Sequence, residues 1–401
     1  MIEIHDKSDC CGCTACANSC PVNAISMVAD DEGFLYPQVN LNSCINCNKC
    51  SNVCPIKNNI EPNDFVRKAY ICQNRSNSIR SDSTSGGVFS ALANYVIQKG
   101  GYVFGAEFDK EWKVRHSFTN KDEELWKFRG SKYIQSDLGE SFANIQKLLE
   151  NGNWVLFSGT PCQVEGLHSF LNKDYSNLLL MDIVCFAIAS PRAWDVYLNH
   201  LTSKHMLDLT KVRRIMFRDK RLYGYEYSVM SFLGEKGERL YSSGPESNQM
   251  LRSFVSNTST RPSCYKCKFK KSERVSDFTV WDCYNIYQYD KNLDDNMGTS
   301  HLITHTAKAE TVLREIEKTH LLVESVDTAS AIASEPAMTE CAKPNKNRTN
   351  FFKSIRNGID PFDIYFPDSI KILMERLLRK TLSRVGAYKY VKRSIKRIKG
   401  E

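Results

Sequence analysis

Cysteine is the residue whose placement in this chain most directly indicates chemistry. The sequence holds 16 cysteines, and nine of them lie within the first 54 residues. Eight of those nine form two blocks with the same internal spacing, each ending in Cys-Pro and 34 positions apart. The blocks are Cys10, Cys13, Cys16 and Cys20, followed by Cys44, Cys47, Cys50 and Cys54. Two-residue gaps let thiolates converge from a tightly looped backbone, as a cube of iron and sulfide requires.

The repeat is typical of bacterial two-cluster ferredoxins, in which the fourth cysteine of each block ligates the other block's cluster. That rule predicts one [4Fe–4S] cluster on Cys10, Cys13, Cys16 and Cys54 and another on Cys44, Cys47, Cys50 and Cys20. A disulfide scaffold or paired zinc sites are the alternatives, but a duplicated block ending in Cys-Pro is far more specific than a single CxxC. Cys11 fits neither set and is interpreted as a spare thiol.

A second group of cysteines lies in the body of the chain. Cys162 and Cys185 each follow a predicted strand, at the same edge of a sheet. Cys264 and Cys267 form a CxxC further along. Four thiolates there predict a third metal centre, either [4Fe–4S] or zinc, and the two clusters upstream favour [4Fe–4S]. The alternative is that these are buried structural cysteines. No role is assigned to Cys72, Cys283 and Cys341.

The elements that must position these groups are predicted from hydrophobic periodicity. Apolar residues recur at helical spacing from Val88 until Gly100 and Gly101. Strands are predicted over 102–108, 153–157 and 178–184, with a helix through Leu171 between the last two. This alternation predicts an α/β body with a mostly parallel sheet. The expected fold class is an α+β ferredoxin-like two-cluster domain, then this body, then a C-terminal helical tail.

Two turns that lead into predicted helices, at 83–87 and 158–161, are rich in Gly, Ser and Thr. Backbone N–H groups at a helix N-terminus favour an anion, so these turns are candidate sites for a cofactor's phosphates. A plain capped turn explains them equally well. The sequence contains no GxGxxG, GxxxxGK[ST] or HExxH, so neither an ordinary dinucleotide site nor a P-loop is predicted.

Length, composition and charge exclude several classes of protein. The 401 residues are 42% hydrophobic, enough for two or three domains with a real core. Residues 353–401 hold 13 basic and 5 acidic side chains, which leaves the other 352 residues neutral, with 41 of each sign. A neutral body disfavours nucleic-acid binding. A polar start without a signal peptide, and a longest apolar run (Leu178–Ala189) too short to cross a bilayer, predict a soluble cytoplasmic protein.

Four segments of the body carry a recognisable pattern. They are Ser85-Gly86-Gly87-Val88-Phe89-Ser90-Ala91-Leu92; Arg129-Gly130-Ser131-Lys132-Tyr133 with Ser136-Asp137-Leu138-Gly139; Phe157-Ser158-Gly159-Thr160-Pro161-Cys162-Gln163; and Cys264-Tyr265-x-Cys267-x-Phe269-Lys270 with Arg274-Val275-Ser276-Asp277. In type and order they resemble the coenzyme F420 hydrogenase/dehydrogenase beta subunit family. With the cysteine repeat, the resemblance covers roughly residues 8–330.

The resemblance implies an FAD held by the body and two-electron exchange with an organic acceptor. The flavin contacts that it implies are Ser85, Gly86, Gly87, Gly130, Ser131, Lys132, Ser158, Gly159 and Thr160. It places the body cluster on Cys162, Cys264 and Cys267, with Cys185 as the fourth ligand. Relatives include coenzyme F420-reducing subunits and ferredoxin-dependent reductases, and many bacterial members accompany cell-surface polysaccharide synthesis.

The chain departs from the family pattern in two places. Bacterial members usually carry Cys-His-Gly where this chain has Cys185, Phe186 and Ala187, so no histidine there donates a proton. A Gly-Asp-Phe-Trp-Gly type of segment is replaced by residues 281–285, which contain no glycine. The substrate or flavin contact expected at that loop is therefore in doubt.

Four regions are predicted along the chain. Residues 1–60 form the two-cluster ferredoxin-type domain, and a polar stretch over 57–64 links it to the body. Residues 65–175 and 176–335 correspond to the N- and C-terminal parts of the beta subunit, the latter with the CxxC. Residues 336–401 form a linker and a basic amphipathic tail.

The leading hypothesis is an iron–sulfur flavoprotein oxidoreductase, since a flavin exchanges one electron with clusters and two with an organic acceptor. The expected path runs from a ferredoxin or flavodoxin through the two N-terminal clusters, the body cluster and FAD to a small-molecule acceptor, or the reverse. Lys132 is the first candidate for a phosphate or flavin-carbonyl contact, and His116 and His168 are candidate proton donors. The alternatives are an electron-transfer subunit without its own substrate site, and a metal-binding scaffold of a biosynthetic complex.

The tail is interpreted separately. Residues 336–350 are polar and predict a linker, and an aromatic docking segment follows at 351–352 and 361–367. From Ile370 to Ile398 apolar residues recur at helical spacing with Lys and Arg between them. Such a helix over 369–399 predicts contact with an anionic membrane surface or an acidic partner such as a ferredoxin. The alternative is a C-terminal helix that packs on its own domain.

Overall fold

The structure is a computed structural model that describes residues 1–58 and 64–399. The middle of the predicted linker, residues 59–63, lies outside the described residues. All 16 cysteines lie within the described part of the chain, as free thiols.

The first 58 residues form a domain whose two halves repeat each other. Helix α1 (Ala15–Asn18) and helix α2 (Lys49–Asn52) each carry the third cysteine of a block, and each follows a residue in the left-handed region, Thr14 at φ 63° and Asn48 at φ 61°. These two residues are 34 positions apart, like the blocks themselves. An antiparallel hairpin of β1 (Ile25–Ala29) and β2 (Leu35–Val39) joins the halves. The repeat in sequence is therefore a repeat in backbone conformation.

The body is built on an eight-stranded mixed sheet. The central strands β4 (Tyr102–Phe108), β6 (Val155–Gly159), β7 (Leu178–Ile183) and β11 (Phe278–Asp282) pair in parallel. Every other pairing in this sheet is antiparallel, which corrects the prediction of a mostly parallel sheet: that description holds for the central four strands alone. The sheet order from one edge to the other is β13 (Leu321–Val326), β3 (Lys68–Asn74), β12 (Ser300–Thr304), β11, β7, β6, β4 and β5 (Val114–Thr119).

The predicted elements next to the functional residues are confirmed within two residues. The helix predicted from Val88 is α4 (Val88–Gln98), and it ends before two glycines. The helix through Leu171 is α6 (Pro161–Leu171), with Pro161 at its first position, where its missing N–H costs nothing. Strand β6 runs to Gly159, two residues beyond the prediction, because Ser158 and Gly159 pair with Met181 and Asp182 of β7.

A three-stranded antiparallel sheet of β8 (Arg214–Asp219), β9 (Val229–Leu233) and β10 (Arg239–Ser243) packs against an aromatic core around Trp194. The aromatic segment of the tail enters this core, with Phe351 and Phe362 fully buried. The polar stretch over 336–350 is only partly a linker, because Met338 and Ala342 are buried against the body. The segment after residue 335 is thus anchored on the domain as far as Phe366.

The remaining elements complete the described chain. The other strands are β3 (Lys68–Asn74), β5 (Val114–Thr119), β8 (Arg214–Asp219), β9 (Val229–Leu233), β10 (Arg239–Ser243), β12 (Ser300–Thr304) and β13 (Leu321–Val326). The other helices are α3 (Asn77–Asp82), α5 (Ser141–Glu150), α7 (Pro191–His205), α8 (Gln249–Val255), α9 (Ile286–Tyr289), α10 (Ala307–Thr319), α11 (Thr328–Ala333), α12 (Arg348–Arg356), α13 (Phe362–Tyr365), α14 (Ile370–Arg384) and α15 (Tyr388–Lys399).

Candidate iron–sulfur and flavin site

Two cavities in the N-terminal domain gather the cysteines of the repeat. The first has a volume of about 330 Å³ and its walls include one tetrad of thiols together with apolar side chains such as Ile2 and Ile56. The tetrad of this cavity is Cys10, Cys13, Cys16 and Cys54. The second has a volume of about 340 Å³ and contains Cys20, Cys44, Cys47 and Cys50. Each cavity thus takes three cysteines from one block and the fourth from the other, the grouping that the spacing predicts.

The donor set of each cavity fits a four-iron cluster. The four predicted ligands line each space, with Cys11 as a fifth thiol in the wall of the first cavity. At the second cavity, backbone amides point at thiol sulfurs, with Ile2 N donating to Cys50 Sγ at 3.2 Å and Ala24 N to Cys20 Sγ at 3.2 Å. Within residues 1–58 and 64–399, no three His, Cys, Asp or Glu side chains converge on a point as a single metal ion would require. Thiols spaced around a cavity are what a cube of iron and sulfide requires.

Burial controls the protonation of these thiols in the absence of iron. Burial, together with the neighbouring Cys10 and Cys54, raises the pKa of Cys16 to about 12. It also raises the pKa of Cys10, which the Arg261 guanidinium partly offsets. A thiol with such a pKa is protonated at neutral pH, so iron must displace the proton in order to bind.

The four body cysteines lie on three segments that the fold brings together. Cys162 opens α6 after β6, and Cys185 follows β7, so the parallel pairing of these strands puts both at one sheet edge. Cys264 lies on a 3₁₀ helix (Pro262–Lys266) whose preceding residue, Arg261, donates its backbone N–H to Ile188 O at 3.0 Å.

The pKa values of these four thiols are all raised. For Cys162 the contact with Cys11 is the main cause, followed by burial. For the other three burial is the main cause, and repulsion between the thiolates adds to it. The pKa reaches about 12 for Cys264 and about 11 for Cys267. Like the N-terminal thiols, these groups gain from a metal that neutralises their charge.

The body thiols lie directly beside the first cavity. The thiol of Cys11 contacts both Cys13, from the first cavity, and Cys162, from the body. Helix α6 approaches so closely that a Cβ on Gly166 would lie 2.9 Å from Cys13 Sγ. No partner for Cys11 is evident from the sequence, because its neighbours come from α6, about 150 residues later in the chain. The same holds for Cys341, whose thiol lies 3.6 Å from Cys267 O.

Arg261 fixes the N-terminal domain to the body. Its side chain is buried, and it donates to Cys10 O at 2.9 Å, to Leu35 O at 2.9 Å and to Gln135 Oε1 at 2.6 Å. The guanidinium also lies 4.3 Å from the centre of the Tyr36 ring. Sequence reasoning missed this residue. The signal that was present is an Arg one position before the Pro that leads into a CxxC.

The three segments assigned to the flavin lie next to one another. Ser131 N donates to Thr84 Oγ1 at 2.8 Å, which joins the 130–132 loop to the 85–87 loop. Ser158 O lies 3.1 Å from His116 Nε2, and Lys132 is close enough to this histidine to add to the effect of burial in lowering its pKa. Gly87 caps α4 without any side-chain hydrogen bond to the first turn. Open helix amides beside small side chains suit a phosphate.

Lys132 is half-buried and directs its ammonium inward. Its Nζ donates to the carbonyls of Lys127, Arg129 and Gly130 at 3.0–3.3 Å. Burial lowers its pKa to about 7. These bonds shape the loop, so a phosphate contact would have to replace one of them, and the flavin role of Lys132 stays a prediction.

The two candidate histidines differ in their surroundings. His116 is buried between Ser158 O and Ser136 Oγ, which it meets at 2.9 Å, and burial lowers its pKa to about 4. It is therefore neutral near pH 7. His168 is half-buried on α6 with Asp174 at 3.8 Å, and burial lowers its pKa as well.

A cluster that the sequence did not reveal lies beside the 85–87 loop. Arg218 donates to Asp282 Oδ2 at 2.5 Å and to the Tyr284 hydroxyl, and Tyr225 OH donates to Asp282 Oδ1 at 2.8 Å. The Tyr225 and Tyr284 rings stack at 4.8 Å. Lys220 Nζ lies over the Tyr225 ring and donates to Ser85 O at 2.7 Å; burial lowers its pKa to about 7. Where the family has glycines, residues 281–285 thus contribute side chains to a network of hydrogen bonds.

Comparison with protein families identifies the chain. Two models describe the beta subunit of coenzyme F420 hydrogenase/dehydrogenase: the model of its N-terminal part matches residues 69–142, and the model of its C-terminal part matches residues 152–329. A "4Fe-4S dicluster domain" matches residues 9–58. The chain belongs to the coenzyme F420 hydrogenase/dehydrogenase beta subunit family. The chemistry of this family is redox chemistry, and the matched dicluster domain provides iron–sulfur clusters.

The family halves meet at the candidate site. The N-terminal match contains the 85–87 and 130–132 loops, while the C-terminal match contains 158–160, the four body cysteines and the Arg218 cluster. All three matches end by residue 329, before the tail begins.

Comparison with solved structures gives a match of low sequence identity. It is a chain of the structure titled "Xenon derivatization of the F420-reducing [NiFe] hydrogenase complex from Methanosarcina barkeri", with 14% sequence identity and a TM-score of 0.46; the likeness covers 73% of this chain and 95% of that chain. No curated protein matches the sequence. Among the described residues, no helix combines the length and apolar character needed to cross a membrane.

Proposed function

We propose that this beta-subunit family member is an iron–sulfur flavoprotein oxidoreductase that moves electrons between a ferredoxin-like donor and an organic acceptor. The observation that carries the proposal is the adjacency of the first cysteine cavity to the four body thiols, with Cys11 in contact with both groups. Electrons cross short distances between clusters that share a packed interface. The order of carriers is then the N-terminal clusters, the body cluster on Cys162, Cys185, Cys264 and Cys267, FAD and the acceptor.

The chain's own groups support a flavin beside the body cluster. The 85–87, 130–132 and 158–160 segments adjoin one another and include the uncapped N-terminus of α4, which suits the phosphates of FAD. When bound, FAD supplies the exchange of one or two electrons. The acceptor is a coenzyme F420-type molecule or a biosynthetic intermediate, including one of surface polysaccharide synthesis.

Lys220 is the group best suited to move a proton there. Its ammonium donates to Ser85 O at 2.7 Å, and burial lowers its pKa to about 7. A group with that pKa gives up its proton readily near neutral pH, as a general acid requires. The buried neutral His116 instead holds Ser158 and Ser136 in place.

A second candidate function is electron transfer without a substrate site of its own. The observation in its favour is that Arg218, Asp282 and Tyr284 are bonded to one another where the family has a glycine-containing loop. Phe186, which replaces the family's histidine, packs its ring on Phe254 at 5.5 Å. A partner enzyme would then bind the acceptor. A scaffold that binds clusters but no flavin is the extreme form of this alternative.

The deciding experiment is anaerobic purification followed by quantification of iron, sulfide, zinc and flavin on one sample. About twelve irons with one FAD per chain support the oxidoreductase, as three four-iron clusters require. About eight irons without flavin contradict it and leave a carrier or a scaffold. Replacing both Cys264 and Cys267 by Ser removes about four irons if they hold the third cluster. The matched control replaces the buried Cys72 and Cys283 by Ser, with no loss of iron expected.

With flavin present, turnover separates the two candidates. Reduced ferredoxin and a deazaflavin acceptor are supplied to the isolated protein. Catalysed reduction of the deazaflavin supports an acceptor site on this chain, whereas reduction of clusters and flavin alone supports the carrier.

A further inference from the structure

The last two helices turn their apolar sides away from the protein. In α14, Ile370, Leu373, Met374, Leu377 and Leu378 follow the spacing i, i+3, i+4, i+7, i+8 and therefore form one stripe. All five are more than half exposed, from 51% at Leu373 to 78% at Ile370. An amphipathic helix that packs on its own domain buries this side. Here the stripe is the outer side.

The side of these helices that meets the body carries charged residues beside the partly buried Ile372, Leu382 and Tyr388, and the Tyr388 ring packs on Tyr227. Arg379 pairs with Glu375 and lies 3.8 Å from Glu246 and 5.9 Å from the centre of the Tyr227 ring. In α15 the inward side chains are cations that meet two carboxylates of the body. Arg393 lies 2.7 Å from Asp294. The other ion pairs join Lys389 to Asp294 at 3.4 Å, and Lys392 and Arg393 to Glu226 at 2.8 and 3.4 Å.

The apolar stripe extends beyond α14. Val385 and, on α15, Tyr390, Val391 and Ile395 are also exposed. The prediction at Ile398 concerns a side chain outside the described set. Ion pairs thus join both helices to the body, and most of their apolar residues face outward.

Cations flank the stripe. Residues 369–399 hold 11 basic side chains and one acidic one, Glu375. Among the described residues, no carboxylate lies within ion-pair distance of the four cations Lys371, Arg376, Lys380 and Arg384. A surface that is apolar along its length, basic at its margins and free of outward carboxylates complements an anionic lipid bilayer, where acyl chains and phosphates lie within a few ångströms of each other.

We propose that α14 and α15 form a membrane-surface anchor, with the stripe buried at the headgroup boundary of an anionic bilayer. A second copy of the chain is a poorer occupant, because two tails of net charge +10 would face each other. The anchor places the redox body at a membrane without a spanning helix. The proposal is independent of which cofactors the body holds.

Vesicle flotation of the full-length, anaerobically purified protein tests the anchor. We expect it to float with vesicles of phosphatidylcholine and phosphatidylglycerol, and much less with phosphatidylcholine alone. Replacing both Leu373 and Leu377 by Glu weakens binding at least roughly tenfold, since each change removes buried apolar area and adds repulsion. The control makes the same charge change at two other exposed apolar residues, Met206→Glu with Val255→Glu, and retains binding. Unchanged iron content shows that both variants are folded.

A pair of Trp reporters gives a second readout. Met374 and Met206 are both exposed methionines, on the stripe and far from it in sequence. Brominated lipids should quench the added fluorescence of Met374→Trp and not that of Met206→Trp. Absence of flotation with anionic vesicles overturns the proposal, as does equal binding by the Leu373/Leu377 variant. The proposal is also overturned if the protein does not bind vesicles but forms dimers, or a complex with a bacterial ferredoxin, and the Leu373/Leu377 variant abolishes that association.

Discussion

At the scale of single residues, the thiols were the most predictable part of the molecule. The spacing of the two blocks predicts which four of the eight cysteines lie around each cavity, because that geometry is local except for the exchange of the fourth cysteine. Contacts made by residues far apart in the chain could not be predicted. Arg261 reaches Cys10 O across 251 positions, and Arg218 reaches Asp282 across 64. An isolated Arg carries no signal for its partner.

The exchange of fourth ligands is tested by comparing Cys54→Ser with Cys11→Ser. Cys54 lies in the wall of the cavity that holds Cys10, Cys13 and Cys16, so its loss should weaken or remove that cluster and leave the other. About four irons fewer are expected for Cys54→Ser and none for Cys11→Ser. Electron paramagnetic resonance of the reduced protein should lose the coupling between two clusters in the first variant. Full iron content in Cys54→Ser would contradict the grouping.

The pH dependence of Lys220 provides a test of the cluster beside Ser85. Burial, with Arg218 and Arg80 nearby, lowers its pKa from its ordinary value near 10.5 to about 7, against the opposing effect of Asp282 and Asp295. Between these pH values the unfolded chain binds the proton and the folded chain does not. The destabilisation of the folded state by this lysine therefore decreases as pH rises from 7 to 10. Below pH 7 the buried lysine is charged in the folded state, and its full destabilising effect on the folded protein is present.

The measurement is the melting temperature of the wild type and of Lys220→Met at several pH values. The free energy of unfolding of the wild type, relative to that of Lys220→Met, should increase by at most about 1.4 kcal/mol per pH unit between pH 7 and 10. The exposed Lys110→Met serves as the control and should show a constant difference. A flat difference for Lys220→Met would contradict the lowered pKa.

At the scale of elements, strands and helices near the site were predictable because their periodicity is clean. The pairing of the strands was not. Strands β3, β12 and β13 come from both ends of the body and pair antiparallel with their neighbours, which no alternation of helix and strand reveals. Helix α6 was predicted, but its close contact with the N-terminal domain depends on Gly166, which has no side chain.

Gly166→Ala separates helix propensity from this contact. In a helix interior, Gly to Ala stabilises by about 1 kcal/mol when nothing is in the way. Here the new Cβ would lie 2.8 Å from Cys13 Cβ, so α6 and the cysteine must move apart. We expect a lower melting temperature and a lower iron content. Ser169→Ala, on the same helix, is the control and should change neither. A stabilised Gly166→Ala protein with full iron would show that the two elements separate without cost.

At the scale of the whole molecule, charge is divided between a neutral body and a basic tail, and the structure explains how the two are held together. The net charge of the tail follows from the sequence. Whether its apolar stripe faces the body or the outside does not, because periodicity predicts a stripe but not the side of the helix that packs. Glu226 and Asp294 decide it by holding the cations inward.

Replacing those two carboxylates, as Glu226→Gln with Asp294→Asn, should loosen α15. Each retains its shape but loses the charge that Lys389, Lys392 and Arg393 meet. Limited trypsin digestion should cleave within α15 several-fold faster than in the wild type, with iron content unchanged. The control neutralises two exposed carboxylates elsewhere, Glu235→Gln with Glu150→Gln. Equal cleavage rates in both variants would show that the tail is held by other contacts.

The bond from Arg261 to the carbonyl of Cys10 has a consequence for the order of synthesis. At 5–20 residues per second, a ribosome needs roughly 13–50 s to add the 251 residues that separate them. For most of that interval all eight N-terminal thiols have been synthesised, while the residue that will seal their domain against the body has not. Iron delivery to these thiols therefore has a window before closure. A delay in iron supply would leave a folded body docked on an unfilled domain.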